Sequence, residues 1–250
     1  MKVSVCIASH NGERYIESQL RSILDQLGAN DEVVISDDGS MDNTLKIIRS
    51  LEDIRVRIID YTHKVKSKFP LDYATHNFVN AIKHAKGDVI FLSDQDDVWL
   101  PGHVEKMKKE LDKCELVVCD CKITDESLNV IYESKFRILN VHRGIIRNLW
   151  SNGCYQGSCM AFRKCVFERA LPFPYHYVGH DLWLGLVAES FFRVKMVPIP
   201  LLLYRRRNES ITFTGKKNTN SIWFKIHYRF YIIKELLFKR LRNRRIKIEE

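Results

Sequence analysis

Short apolar segments alternate with amphipathic segments along the first 120 or so residues, and this alternation restricts the chain to few folds. Residues 3–8, 32–36, 56–59, 88–93 and 116–119 are rich in β-branched side chains, which is typical of buried strands. Between them, apolar residues recur every three or four positions, the spacing of a helix that packs on a sheet. The pattern predicts an α/β fold with a mostly parallel sheet flanked by helices.

Polar residues follow three of these predicted strands where each strand ends. They are Ser9-His10-Asn11, Asp37-Asp38 and Asp94-Gln95-Asp96-Asp97. Open sheets of this kind bind ligands at the carboxyl ends of their strands, so we expect the three clusters to meet in one crevice. Ser40, shortly after the second strand, is predicted to cap the next helix.

The acidic cluster at Asp94, Asp96 and Asp97 requires compensation, because three neighbouring carboxylates repel one another. A hard divalent cation, Mg or Mn, compensates best, since it binds oxygen ligands and can bridge to substrate phosphates. In an Asp-x-Asp segment both side chains lie on one side, so one can contact the ligand while the other holds the metal. A solvated acidic turn that caps the following helix is the alternative for this segment, as an ordinary strand-to-helix turn is for Asp37-Asp38.

Four segments of the chain form a recognisable set in this order: VSVCIASHNGERYIESQLRSIL, VVISDDGSMDNT, GDVIFLSDQDDVW and GHDLWL. Together they resemble the motifs of the family 2 glycosyltransferases with the GT-A fold, most closely their rhamnosyltransferase-like branch. The resemblance implies inverting, metal-dependent transfer of a sugar from a UDP- or dTDP-sugar to a hydroxyl of a glycan or lipid-linked acceptor, in cell-surface polysaccharide synthesis. It implies a catalytic domain over residues 1–221, with a nucleotide-sugar-binding half at 1–121, an acceptor-binding half at 122–221 and a tail at 222–250.

The resemblance also implies roles for individual residues. Asp181 falls where the family places its catalytic base, and Asp96 would bind Mn or Mg with Asp97 in support. Asp37 would contact the nucleotide base and Asp94 the ribose. The residues expected to bind the nucleotide sugar are Ala8, Ser9, His10, Asn11, Glu13, Asp37, Asp38, Asn77, Asp94 and Gln95.

The segment Tyr204-Arg205-Arg206-Arg207 departs from the family branch, which commonly has Tyr-Arg-x-His here. A guanidinium cannot ligate a metal, but it can bind phosphate through two hydrogen bonds. We therefore expect Arg205 or Arg207 to bind the donor diphosphate, with a solvated basic loop as the alternative. His10 stands where the family more often has Tyr, which leaves stacking on the nucleotide base open.

The tail carries most of the net charge of the chain. Residues 222–250 contain nine Lys or Arg and three Asp or Glu, hence +6 of the total +9. An amphipathic helix is predicted by apolar residues at steps of three or four, namely Ile222, Ile226, Phe230, Ile233, Leu237 and Leu241. Such a basic helix can bind an anionic membrane surface through residues 222–248, and packing on the catalytic domain is the alternative.

Other functions explain less of the sequence. A Rossmann oxidoreductase needs a GxGxxG after the first strand, which is absent, and a sugar nucleotidyltransferase needs a Gly-rich basic loop there. A non-catalytic nucleotide-sugar or membrane-binding protein explains the tail but not the acidic crevice, which would also repel nucleic acid.

The seven Cys lack paired CxxC spacing, which favours reduced, mostly buried thiols in a cytoplasmic protein. No signal peptide or membrane-spanning segment is predicted. We expect a cytoplasmic location, with peripheral attachment to the inner face of the cell membrane as the variant that the tail suggests.

Overall fold

The computed structural model describes residues 1–61, 67, 69–150, 153–174, 178–206 and 221–249. The strands in these ranges are β1 (Val3–Ser9), β2 (Glu32–Asp37), β3 (Val56–Asp60), β4 (Val89–Asp94), β5 (Val98–Trp99), β6 (Leu116–Thr124), β7 (Val130–Tyr132), β8 (Met160–Arg163) and β9 (Val194–Arg205). The helices are α1 (Ile16–Leu24), α2 (Thr44–Ser50), α3 (Pro70–His84), α4 (His103–Leu111), α5 (Lys135–Leu139), α6 (Ile145–Trp150), α7 (Lys164–Ala170), α8 (His180–Phe191) and α9 (Ile222–Glu249). A 3₁₀ turn, Gly157–Cys159, leads into β8.

All described strands join one sheet, in the order β3-β2-β1-β4-β8-β6-β9-β5, with β7 paired to β6. The first four strands of this order are parallel, as predicted. Beyond β4 the sheet is mixed, because β8 runs antiparallel to both β4 and β6, whereas β6 and β9 are parallel. The parallel half is the part in which strands and helices alternate along the sequence.

Helices cover the sheet, so its central strands are buried on both faces. Helix α3 packs across β1 and β2, and α4 packs on β6 and β8. Strands buried in this way read as continuous apolar runs, which is why β1, β2 and β4 are evident in the sequence. Six of the seven Cys are buried and all seven are free thiols, as expected, with Cys165 exposed.

The predicted cap of α2 is wrong. Helix α2 begins at Thr44, four residues after Ser40, and Asp42 accepts a hydrogen bond from the Thr44 amide at 3.0 Å. Ser40 instead turns back toward β2, where its hydroxyl donates to Asp37 at 2.6 Å. A serine after a strand can hydrogen-bond either to that strand or to the helix that follows, and Ser40 bonds to Asp37 of strand β2.

The C-terminal helix forms as predicted and packs on the domain, but mostly not through the predicted apolar stripe. Among its described side chains Ile232 and Leu236 are buried, and Lys239 donates to the Leu171 carbonyl at 2.7 Å. Of the predicted stripe, Ile233 is partly buried against the core, whereas Ile226, Phe230, Leu237 and Leu241 are exposed, Phe230 to 68%. Within the described ranges, no helix is long and apolar enough to cross a membrane.

Candidate functional site

The strand register brings the three polar clusters to one edge of the sheet. In the ladders that flank β1, Ser9 pairs with Asp37 of β2 and Ala8 pairs with Asp94 of β4. Two strand spacings therefore separate Asp37 from Asp94, about 9.6 Å. Asp96 follows two residues after Asp94, so the predicted convergence of the clusters is confirmed.

Asp37 is held rigidly by neighbouring hydroxyls and a backbone amide. Its Oδ1 accepts hydrogen bonds from the Ser9 hydroxyl at 2.8 Å and the Ser40 hydroxyl at 2.6 Å, and its Oδ2 accepts from the Ser40 amide at 2.8 Å. The side chain is buried. Each carboxylate oxygen has two lone pairs, so this fixed carboxylate can still accept from a ligand N–H.

Gln95 holds the loop after β1 through two opposed hydrogen bonds. Its Oε1 accepts from the His10 amide at 2.9 Å, and its Nε2 donates to the His10 carbonyl at 3.0 Å. This contact requires a glycine at position 12, because a Cβ on Gly12 would lie 2.5 Å from Gln95 Oε1. The predicted nucleotide-binding residue Gln95 thus also shapes the predicted nucleotide-binding loop.

Asn11 and Glu13 tie the same loop to the segment between β2 and α2. Asn11, with a φ of 47° that Asn tolerates well, accepts the Met41 amide on its Oδ1 at 2.9 Å. Glu13 Oε2 accepts from the amide and the side-chain Nδ2 of Asn43, both at 2.9 Å. These bonds give the edge of the sheet a fixed shape, and the predicted ligand contacts of both residues stay predictions.

Helix α3 reaches this edge through Asn77, whose Nδ2 donates to the Ser9 carbonyl at 3.2 Å. Its Oδ1 is buried and has no hydrogen-bond partner within the described part of the chain. Tyr61, which the sequence analysis missed, follows β3 and donates its amide to the Asp37 carbonyl at 2.8 Å. Burial, followed by the nearby Asp38 carboxylate, raises the pKa of the Tyr61 phenol. The rule that located the other clusters, a polar residue just after a strand, would have found it.

Arg205 braces the acidic loop from β9. Its amide donates to Asp97 Oδ1 at 3.0 Å, and its Nε donates to the Asp96 carbonyl at 2.8 Å. Its Nη1 donates to the Glu126 carbonyl, and the guanidinium lies 4.6 Å from the Tyr15 ring centroid. The predicted diphosphate contact of Arg205 remains a prediction, and Arg207 lies outside the described residues.

The three carboxyl groups of the acidic loop have different environments. Burial, and then the charges of Asp96 and Asp94, raise the pKa of Asp97 well above its ordinary value. No set of three or more His, Cys, Asp or Glu side chains forms a ready metal cluster in the described ranges. Mg and Mn commonly bind through one or two carboxylates together with phosphate and water oxygens, and Asp96 beside Asp94 fits that donor set.

Asp181 lies in the first turn of α8, where the helix dipole favours a negative charge. Its Oδ1 accepts the Leu182 amide at 2.7 Å. The preceding His180 is buried against Phe78, with ring centroids 4.1 Å apart. Burial lowers the pKa of His180, and neither ring nitrogen has a hydrogen-bond partner in the described structure.

The 3₁₀ turn at Gly157–Cys159 connects the Asp181 region with the acidic loop. A Cβ on Gly157 would lie 2.9 Å from His180 Nε2 and 3.9 Å from Asp181 Cβ, so the turn contacts the start of α8 directly. The turn also contacts β4, the strand that leads into the acidic loop. Asp181 and the acidic loop therefore both lie next to this turn, and the start of α8 also packs on α3.

Comparison with known sequences identifies glycosyltransferases as relatives of this chain. Residues 4–171 match the profile of Glycosyl transferase family 2. An uncharacterized glycosyltransferase of Nostoc sp. is 31% identical over 69% of this chain and 54% of its own length. The dTDP-rhamnosyl transferase RfbG of Shigella flexneri is 38% identical over 42% of this chain and 36% of its own length, so the chain matches about half or less of these two relatives. A GalNAc(5)-diNAcBac-PP-undecaprenol beta-1,3-glucosyltransferase of Campylobacter jejuni is 25% identical over 89% and 71%.

Solved structures share the fold at low sequence identity. S. aureus TarS in complex with UDP-GlcNAc superposes with a TM-score of 0.68 and 17% identity, over 93% of this chain and 66% of that chain. The mannosyltransferase PcManGT from Pyrobaculum calidifontis, in complex with GDP-Man and Mn²⁺, gives 0.59 and 18% identity, over 86% and 58%. The mixed sheet with flanking helices is thus the expected GT-A fold. Because the family profile covers two thirds of the residues, the chain belongs to glycosyl transferase family 2.

Proposed function

We propose that this chain transfers a sugar from a UDP- or dTDP-sugar to a hydroxyl of a glycan or lipid-linked acceptor, with a divalent cation and inversion at the anomeric carbon. The observation that carries the proposal is the convergence of Asp37, Asp94 and Asp96 at one edge of the sheet, with Asp181 next to the 3₁₀ turn. The relatives named above as rhamnosyl and glucosyl transferases support this chemistry.

The donor nucleotide lies at the end of β1 in this proposal. Asp37, fixed by three internal hydrogen bonds, accepts from the N–H of the pyrimidine base. Asp94, two strand spacings away on the other side of β1, accepts from the ribose hydroxyls. The loop clamped by Gln95 provides the floor between them.

Asp96 holds the cation in this proposal, beside the diphosphate of the donor. A bound Mg or Mn supplies positive charge that neutralises the departing nucleoside diphosphate. The contribution of the chain is to fix the loop, which Arg205 does by bonding to the Asp96 carbonyl and the Asp97 carboxyl. The raised pKa of Asp97 lowers the negative charge of the loop before any cation binds.

Asp181 acts as the general base in this proposal. Because Oδ1 already accepts the Leu182 amide, Oδ2 is the atom that we assign to receive the proton of the acceptor hydroxyl. The acceptor oxygen, having given its proton to Oδ2, attacks the anomeric carbon as the bond to the diphosphate breaks on the opposite face, so a single displacement inverts the configuration. Neutral His180 behind the carboxylate adds no competing positive charge.

The test is a thermal-shift panel of nucleotide sugars with and without Mn²⁺, followed by turnover of the best binder. We expect binding that depends on Mn²⁺, loss of that dependence in Asp96→Ala, and loss of turnover with retained donor binding in Asp181→Asn. Asp112→Asn, at an exposed carboxylate after α4, is the matched control. Donor binding without turnover by any acceptor tested would favour the non-catalytic alternative, and turnover unchanged by a chelator would exclude the role of the cation.

The location of the enzyme in this proposal is the cytoplasm, peripheral on the inner face of the cell membrane. The diphospho-undecaprenol acceptor named for the Campylobacter relative supports a membrane-bound acceptor. The basic helix α9 supports attachment to an anionic surface.

A further inference from the structure

Helix α9 has a second apolar side, which faces away from the domain and which we call the outer face. Its residues share one side of the helix and are all at least 40% exposed; they are Trp223, Ile226, Phe230, Leu237, Phe238 and Leu241. The opposite side holds the buried Ile232 and Leu236. The domain therefore buries one side of α9 and leaves the more aromatic side exposed to solvent, which is unusual for a helix whose apolar residues only stabilise the fold.

Helix α6 lies next to α9. Arg229 of α9 donates its Nε to the Leu149 carbonyl at 2.7 Å, and its guanidinium lies 5.5 Å from the Trp150 ring centroid. Arg229 shares the side of α9 that holds the buried Ile232 and Leu236, so α6 packs beside the covered side and leaves the outer face open. Trp150, 57% exposed, and Ile146, 76% exposed, remain accessible beside this contact.

The charges around the outer face identify its partner. Lys234 lies within the face and Arg240 beside it, both exposed, and the tail has a net charge of +6. A second copy of this chain would oppose +6 with +6, whereas an anionic bilayer would neutralise the charge while its interface accepts Trp and Phe rings. We propose that the outer face of α9 docks on an anionic lipid bilayer.

The docking surface is connected to the proposed base. Helix α9 packs on α8, the helix that begins with His180 and Asp181. Burial, and then the nearby charge of Asp181, raise the pKa of the Tyr228 phenol of α9. Docking through the outer face would therefore fix the orientation of the Asp181 crevice relative to the bilayer. This orientation step rests on the proposed function, because it concerns a lipid-linked acceptor, whereas the docking itself extends the proposed membrane location and is independent of the sugar transfer.

The docking test is co-sedimentation of the full chain with phosphatidylcholine vesicles, with and without about 30 mol% phosphatidylglycerol. We expect binding only to the anionic vesicles. The double variant Phe230→Ser/Leu237→Ser should bind about 10- to 100-fold more weakly, because two inserted side chains are lost. Ile54→Ser, which removes a 96% exposed isoleucine far from α9, is the control and should bind as the wild type does. Circular dichroism and melting temperature verify that each variant folds.

Charge and oligomer state complete the test. Lys234→Gln/Arg240→Gln should weaken binding and flatten its dependence on salt concentration. The proposal is overturned if the wild type does not bind anionic vesicles, or if the Phe230/Leu237 variant binds them with the affinity of the wild type. It is also overturned if light scattering finds a dimer that this variant dissociates, since the occupant would then be a second copy.

A transfer assay separates this inference from the proposed function. With a lipid-linked acceptor in vesicles, the Phe230/Leu237 variant should have a KM raised about tenfold, and with a water-soluble acceptor its kinetics should equal those of the wild type. If no acceptor supports turnover, the proposed function fails while vesicle binding still decides the docking. If both acceptors show equal kinetics in the two proteins, the orientation step is wrong.

Discussion

Substitution of Gly12 by alanine tests whether Gln95 clamps the loop after β1. The added Cβ would lie 2.5 Å from Gln95 Oε1 and 2.7 Å from its Cδ, so the carboxamide must move away. Gln95 would then lose both of its hydrogen bonds to the His10 backbone. At about 1 kcal/mol for each bond, the free energy of unfolding should fall by about 2 kcal/mol.

The double-mutant cycle makes this reasoning quantitative. Gln95→Ala removes the same two bonds and should also cost about 2 kcal/mol. In the Gln95→Ala background there is no carboxamide for the methyl group of Gly12→Ala to displace, so the double variant should cost about 2 kcal/mol rather than about 4. The magnitude of the coupling energy between the two sites is then about 2 kcal/mol.

Urea unfolding monitored by Trp fluorescence measures these free energies. Gly28→Ala is the matched control, since its Cβ would meet Asp31 Oδ2 at an ordinary 3.4 Å, and it should be neutral or slightly stabilising. Donor affinity should fall in all three variants of the cycle if the His10 loop binds the nucleotide. Additive costs in the double variant would refute the clamp.

Three further predictions follow from the site and the core. Asp181→Asn should lower kcat about 10²- to 10⁴-fold without changing the melting temperature, and near-normal turnover would remove Asp181 as the base. Burial lowers the pKa of His103 from 6.5 to about 4, so the unfolded chain takes up a proton at a higher pH than the folded protein does. The free energy of unfolding should therefore fall by about 3 kcal/mol as the pH falls from 7 toward 4. His103→Phe keeps a ring stacked on Trp99 and should flatten that part of the pH profile of unfolding. Arg205→Lys should raise the Mn²⁺ concentration needed for half-maximal turnover about tenfold, because the single nitrogen of lysine cannot occupy the positions of both Nε, which bonds to the Asp96 carbonyl, and Nη1, which bonds to the Glu126 carbonyl. An unchanged Mn²⁺ titration would contradict this stabilising role of Arg205.

The first half of the fold could be predicted because its strands are buried on both faces and its connections are local. The strand and helix bounds of the second half could not be predicted in the same detail. Strand β6 continues to Thr124 through Asp120 and Lys122, which look unsuited to a central strand. Asp120 is nevertheless buried there, because it accepts hydrogen bonds from the Ser134 hydroxyl and the Phe136 amide. Such compensation comes from another segment and leaves no periodic signal.

The same distinction holds for the site. Asp37, Asp94 and Asp96 were found because a general rule places ligands at the carboxyl ends of parallel strands. The clamp by Gln95 and the brace by Arg205 depend on partners 85 and 109 residues away, which no local pattern encodes. Periodicity likewise found an apolar stripe on α9, but it could not tell which of two apolar sides the domain would cover.

The hydrogen bond between the Arg205 amide and Asp97 spans 108 residues, and this separation affects the order in which parts of the site fold. Strands β1 to β4 pair with one another early in synthesis, so the edge that carries Asp37 and Asp94 can assemble while the ribosome is still translating the rest of the chain. Contacts of long sequence separation form late, because chain closure must be achieved before they contribute. The acidic loop therefore acquires its bond to Arg205 only once β9 has emerged, so a nascent chain would complete the proposed nucleotide site before the proposed cation site.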